Sequence, residues 1–143
     1  MPVEIRFFYN NSNPNLKQRN RLKTFISSIF KQEGKMPGKI NFIFCKDETL
    51  LEINRTYLNH NYYTDVITFN LSQSDQIDAD IFISLDRVRE NAEVQKTTLK
   101  TELLRVMFHG VLHLCGYDDK SIKEKKQIRE KEDFYLSLYN RFT

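Results

Sequence analysis

Residues 65–85 read DVITFNLSQSDQIDADIFISL. The two ends of this stretch, DVITFNL (65–71) and DADIFISL (78–85), are rich in β-branched and aromatic residues and have the length of strands. The polar loop SQSDQI between them is too short for a helical crossover, so an antiparallel hairpin is expected. The earlier part of the chain is spaced differently. VEIRFFY (3–9) and KINFIFC (39–45) read as further strands, the second placing Ile40, Phe42 and Phe44 on one face. Between them, residues 16–31 carry Leu16, Leu22, Phe25, Ile26, Ile29 and Phe30 at helical spacing, and Gly34, Pro37 and Gly38 are expected to end that helix. A helix joining two strands favours parallel pairing.

Working outward, Asp47 is placed to cap a helix over 47–57, whose apolar residues Leu50, Leu51 and Ile53 suit one face. Three more helices are expected after the hairpin, over 85–95, 100–115 and 121–139. The second of these buries Leu103, Leu104, Met107, Val111 and Leu114, and Gly116 supplies a left-handed cap at its end. The order β-α-β-α-β-β-α-α-α predicts an α+β fold. Its centre is a mixed four-stranded sheet, mostly parallel with one antiparallel hairpin strand, packed with about five helices.

The chain has 143 residues, a 40% hydrophobic fraction, eleven Phe and seven Tyr. That is enough for one domain, 1–143, to bury a real core without a disulfide or metal to staple it. Formal charge is +3, compatible with an anionic partner but too small to identify one. Cys45 and Cys115 form no CxxC and no dense framework, and read as reduced thiols. The N-terminus MPVEIRFFYN resembles no signal peptide and no stretch is apolar enough to span a membrane, so a soluble, cytoplasmic protein is expected.

Two of the three histidines stand in the run HGVLHLCGYDD, residues 109–119. On a helix, His109 and His113 share a face and can put two imidazoles on one divalent cation. Gly116 then allows the chain to reverse, so that Asp118 or Asp119 returns to the same point, with Asp119 in the third ligand position of the metzincin spacing. Two histidines and one carboxylate form an accepted zinc set with a fourth position open to water. Unpaired imidazoles would be costly among Phe108, Val111, Leu112 and Leu114, which also favours a metal. A zinc peptidase would need glutamate directly after the first histidine as general base, and here that residue is Gly110. Proteolysis is therefore disfavoured.

The same run resembles the signature of the YbeY family, metal-dependent endoribonucleases of ribosomal RNA maturation, whose pattern is His-Gly-x-Leu-His-Leu-x-Gly-Tyr-Asp-His. Thr64-Asp65-Val66-Ile67-Thr68-Phe69 is similar to the family's Thr-Asp-Val-Leu-Ser-Phe, and DADIFIS (78–84) to its Gly-Asp-Ile-x-Ile-Ser strand, with Ala79 replacing glycine. The resemblance implies one zinc ion per chain on His109, His113 and Asp119. It also implies a single-strand-specific endoribonuclease acting in 3′-end maturation of small-subunit ribosomal RNA and in ribosome quality control. The implied partners are single-stranded RNA, the rRNA precursor and the small ribosomal subunit, with neither membrane nor DNA.

The chain departs from the family pattern twice. Aspartate stands at 119 where the family has its third histidine, and Leu58 stands where the family usually has an arginine that meets the RNA backbone. Arg55, one helical turn earlier, is the expected substitute, and Asp118 the expected neighbour of the metal ligands, although an acid at a helix end is as often a solvated turn residue. Thr64 and Asp65 either frame the cleft or only start a strand. His60, in the loop Asn59-His60-Asn61-Tyr62-Tyr63, could offer a surface for bases or simply face solvent. Cys115 is expected to pack in the core. The run of Lys120, Lys123, Lys125, Lys126, Arg129 and Lys131, interleaved with acids, reads as a solvated helix face whose start lies beside the metal. The competing function is a zinc-stabilised RNA- or ribosome-binding assembly factor without catalysis.

Overall fold

The structure, a computed structural model, describes residues 3–141. The elements run β1 (Glu4–Tyr9), α1 (Arg19–Gln32), β2 (Met36–Cys45), α2 (Asp47–Leu58), β3 (Val66–Asn70), β4 (Gln76–Ser84), α3 (Leu85–Val94), α4 (Leu99–Leu114) and α5 (Ile122–Arg141). The sheet order is β1-β2-β4-β3. β1 pairs parallel with β2 and β2 parallel with β4, while the β3–β4 hairpin is antiparallel with Thr68 opposite Ile81. This is the mixed sheet that the short 71–75 loop and the helical crossovers dictate. Ile40, Phe42 and Phe44 are buried on one face of β2 as their alternation requires.

Helix α4 is the centre of the molecule. It packs on β3 and β4 and is flanked by α1, α3 and α5. Its buried residues go most of the way round: Leu103, Leu104, Val106, Met107, Phe108, Val111, Leu112 and Leu114. A helix with so wide an apolar surface is stable only when covered on several sides. Thr98 caps it by accepting the Thr101 N–H at 3.1 Å.

Three local expectations are corrected. Pro37 and Gly38 do not terminate α1; they lie inside β2 at a register shift between Pro37 and Ile40. Asp78 is the reason. Its carboxylate accepts the Lys39 N–H at 2.8 Å, so close that a Cβ on Gly38 would stand 2.3 Å from Asp78 Oδ1. Asp47 does not cap α2, which is preceded by Lys46 without a side-chain cap. Instead the Asp47 carboxylate takes the Arg87 guanidinium at 2.6 Å and the Ser84 hydroxyl at 3.0 Å, because a charged partner outcompetes a cap. Helix α1 begins at Arg19 and not at residue 16, since Asn15 and Gln18 adopt left-handed backbone just before it. Leu16 still packs against the core from this irregular segment.

Two tertiary contacts set the position of the end of α4. Glu33, just past α1, accepts hydrogen bonds from the Tyr117 hydroxyl at 2.7 Å, from the Tyr135 hydroxyl, and from Lys131 at 3.4 Å. Burial pushes its carboxyl up, but the Tyr135 and Tyr117 bonds and the Lys131 charge outweigh burial and leave it below the usual carboxylate range. The second contact is at Gly110. A Cβ there would meet Ile81 Cγ2 at 3.0 Å and the Thr68 hydroxyl at 3.3 Å, so β3 and β4 approach the helix backbone as closely as glycine permits. The missing peptidase base thus has a packing reason, for a larger side chain would have to displace Ile81 or Thr68.

Gly110→Ala sets two effects against each other. Alanine should stabilise a helix interior by about 1 kcal/mol relative to glycine. Overpacking against Ile81, which is fully buried, should cost about 1–3 kcal/mol. Net destabilisation is expected, read as a lower denaturant midpoint at unchanged slope. A midpoint at or above that of the parent would show that Ile81 yields.

Candidate metal centre

The last two turns of α4 place His109 and His113 side by side, their ring centroids 4.8 Å apart and nearly perpendicular. The helix then closes in a glycine-capped turn. The Gly116 N–H donates to His113 O and the Tyr117 N–H to Leu112 O, both at 3.1 Å, with Gly116 at φ +104°. This reversal returns Asp119 to the histidines. Its Oδ2 lies 3.2 Å from His109 Nε2 and its Oδ1 3.6 Å from His113 Nε2. One donor atom from each of the three residues falls within 4.8 Å of the others. Ligand arms of about 2.0–2.1 Å place tetrahedral donors about 3.3 Å apart, so a modest contraction would close the set on a cation. The donor set fits a divalent metal.

His109 is also held from behind. Its Nδ1 lies 2.6 Å from Glu132 Oε2, an arrangement in which Nδ1–H donates to the carboxylate and Nε2 is the ring nitrogen on the Asp119 side. Glu132 is only 4% exposed and is itself paired with Arg105 at 3.1 Å. Burial works against a charged His109, yet the Glu132 hydrogen bond and charge, with Asp119 and Asp65 beyond, raise its pKa above the ordinary value. Arg105 also reaches Asp133 at 2.7 Å. Sequence reasoning missed Glu132, although a signal was present. An acid inside the buried stripe of Ile128, Tyr135, Leu136 and Tyr139 on α5 needs a buried cationic or imidazole partner.

Two cavities meet at this centre. A groove of 560 Å³ runs from His109, His113 and Asp119 along β3 towards the loop that follows α2. A second cavity of 310 Å³ lies on the α5 side, lined among others by Glu102, Arg105, Arg129 and Glu132. Asp65 lines both. Its carboxylate accepts from Asn91 Nδ2 at 3.2 Å, and burial raises its pKa while the neighbouring His109 lowers it. Asp65 is thus structural in its backbone bond to Ser84 and part of the cleft in its side chain. Thr64 lines the groove too.

The remaining sequence candidates are distributed unevenly. Arg55 is exposed, donates from Nε to Asn61 Oδ1 at 2.6 Å, and is absent from the groove lining, where Leu58 is present. Asp118 is exposed and is not one of the three residues of the donor cluster that contains Asp119. His60 lines the groove. Cys115 packs against the core, where burial pushes its thiol up to about 12 and disfavours the thiolate. Within the basic run, Lys120 lines the groove and Lys125 and Arg129 the adjoining cavity.

The family model described as endoribonuclease YbeY matches residues 8–140. The chain is 50% identical to the endoribonuclease YbeY of Cytophaga hutchinsonii over 94% of each chain. It is 45% identical to that of Bacteroides thetaiotaomicron over 87% of this chain and 90% of the relative. Among solved structures it is similar to a Thermotoga maritima protein determined in solution, with a TM-score of 0.67 and 31% identity across 94% of this chain and 88% of that one.

Removing Glu132 takes a buried partner from both His109 and Arg105, the latter keeping Asp133. Glu132→Ala should lower stability by about 3 kcal/mol, the loss typical of breaking one side of a buried ion pair. Glu132→Gln, which keeps a hydrogen-bonding side chain of the same size, should lose less. Chemical denaturation of metal-free protein checks both, and an Ala variant as stable as the parent would mean that the pair with Arg105 contributes nothing net.

Proposed function

This chain belongs to the YbeY family of endoribonucleases, and we propose that residues 1–143 act as one domain that cuts single-stranded RNA at a metal held by His109, His113 and Asp119. Zinc is the metal that best suits two imidazoles and one carboxylate at tetrahedral spacing. When bound, it would supply Lewis acidity towards a phosphoryl oxygen and a water of lowered pKa. The observation that carries the proposal is the convergence of two ε nitrogens and one carboxylate on one wall of an open groove.

The chain's own residues divide the remaining work. Glu132 holds the His109 ring so that Nε2 stays an acceptor towards the groove. Gly116 and Glu33 hold the turn that carries Asp119, through the glycine cap and the Tyr117 hydroxyl. Lys120, on the groove rim, is placed to take a phosphate. Arg55 stands one step back and grips Asn61; we assign it a backbone contact from the outer side of that loop, in place of the arginine that Leu58 replaces. Asp118 is assigned to the hydration of the metal's open side. The substrate in this proposal is the precursor of small-subunit ribosomal RNA on or near the small subunit, in the cytoplasm. That location suits the two free thiols, and among the described residues no helix is long and apolar enough to cross a membrane.

Metal content and cleavage test this directly. The parent should hold one divalent ion per chain and cut single-stranded RNA in a single turnover that chelator abolishes. His109→Ala and Asp119→Ala should lose the ion, Asp118→Ala should keep it, and Asp119→His should hold it at least as well as the parent. Loss in Asp118→Ala with retention in Asp119→Ala would transfer the ligand to the neighbouring acid. Metal-replete protein that binds RNA and never cuts it would favour the assembly-factor function.

Arg55→Ala should weaken RNA binding and flatten the salt dependence of log Kd by about one unit, the slope of one released counterion. An unchanged slope would return Arg55 to a purely structural role beside Asn61.

A further inference from the structure

The loop between α2 and β3 is built more rigidly than its exposure suggests. Asn54, buried to 1% on α2, donates its side-chain amide to Tyr62 O at 2.9 Å. The His60 N–H donates to Asn54 O at 3.0 Å, and Asn59 turns the chain through left-handed backbone at φ 55°. Arg55 fixes Asn61 from outside. One buried side chain and one main-chain carbonyl thus hold the loop at two points. What this scaffold presents is aromatic. The Tyr62 ring is half exposed, its hydroxyl lies 3.1 Å from His60 Nδ1, and the two rings sit 5.1 Å apart, tilted by 47°. Both line the groove that contains His109, His113 and Asp119, with Lys120 among its other lining residues.

Aromatic surface gathered at one place beside a groove marks a binding site better than single exposed rings do. Neighbouring Tyr63 has a partner in the Arg87 guanidinium, 5.2 Å from its ring centre. Among the described residues, the ring contact made by Tyr62 is with His60. We propose that Tyr62 and His60 form a stacking shelf for one unpaired nucleobase of an RNA strand whose backbone follows the groove to the metal centre. Every base offers a π-face, so the shelf accepts any sequence. It accepts only a base that can leave its stack, and paired bases in an A-form helix cannot reach such a ring. The shelf therefore supplies a selection for single strands that the metal centre, which meets only phosphate, cannot supply. The proposal rests on the RNA-cleaving function and adds its base-binding subsite.

The test uses the metal-replete full chain and a short single-stranded RNA carrying 2-aminopurine, whose fluorescence is quenched on stacking. Parent protein should bind with quenching, and annealing the complementary strand should abolish both. Tyr62→Ala should raise Kd by at least about fivefold, the lower range for one lost base–aromatic stack, and remove the quench. Tyr62→Phe should retain both, since it loses only the bond to His60. The clamp on Tyr62 uses its main-chain oxygen, so these variants should melt with the parent; Tyr62→Leu, which keeps apolar bulk without a π-face, repeats the test should Ala perturb the loop. Parent-like affinity and quench in Tyr62→Leu would overturn the shelf while leaving RNA binding intact. Failure of the parent to bind single-stranded RNA at all would overturn the shelf together with the function on which it rests.

Discussion

The structure depends on the close approach of α4 to β3 and β4 at Gly110. That contact lets a helix buried on most of its circumference lie deep against the sheet, and it sets the depth at which His109 and His113 emerge. A residue of ordinary size at 110 would lift the helix or displace Ile81. The chemistry and the packing are therefore coupled through one missing side chain. The same absence removes the position from which a peptidase base would act.

Burying an imidazole against an apolar helix creates a polar debt of its own, and the molecule meets it through tertiary pairing. His109 is bonded to Glu132, Glu132 to Arg105, and Arg105 to Asp133. The chain of charges runs from the site out to the surface of α5, so no member is left desolvated alone. Asp119 completes the site from the opposite side. Its position is set by a glycine-capped turn and by Tyr117, which is tied to Glu33 at the end of α1. Four separate elements thus determine the geometry of a three-residue site.

The departures from the family pattern have a consistent physical meaning. Aspartate at 119 makes the donor set more negative than three histidines would, in a cleft that already contains Asp65. Leu58, in the register where the family pattern has arginine, puts no charge at its place in the groove. The cations that remain, Lys120 on the rim and Arg55 behind the loop, are fewer and more peripheral. On the proposed function, recognition that leans less on charge leans more on contact with bases, which the proposed Tyr62–His60 shelf would supply.

Local sequence determined the elements and the donor triad. Period-two alternation in 39–45, helical spacing in 100–115 and a hairpin loop too short for a crossover are short-range signals, and each survives in the structure. The histidine spacing and the glycine three residues beyond act within one turn of helix and one cap, so His109, His113 and Asp119 were legible without any tertiary information. Tertiary structure decided the rest. Asp47 went to Arg87 and Ser84 and not to a cap, Pro37 and Gly38 entered a strand because Asp78 lies across from them, and Glu132 came to His109 from 23 residues away. Arg55, on the expected helix, is bonded to Asn61 and does not line the groove. In every case but Arg55, whose partner is six residues away, the deciding partner is distant in sequence. A charged or hydrogen-bonding side chain has several local choices of similar energy, and only the folded chain shows which distant group is near enough to win.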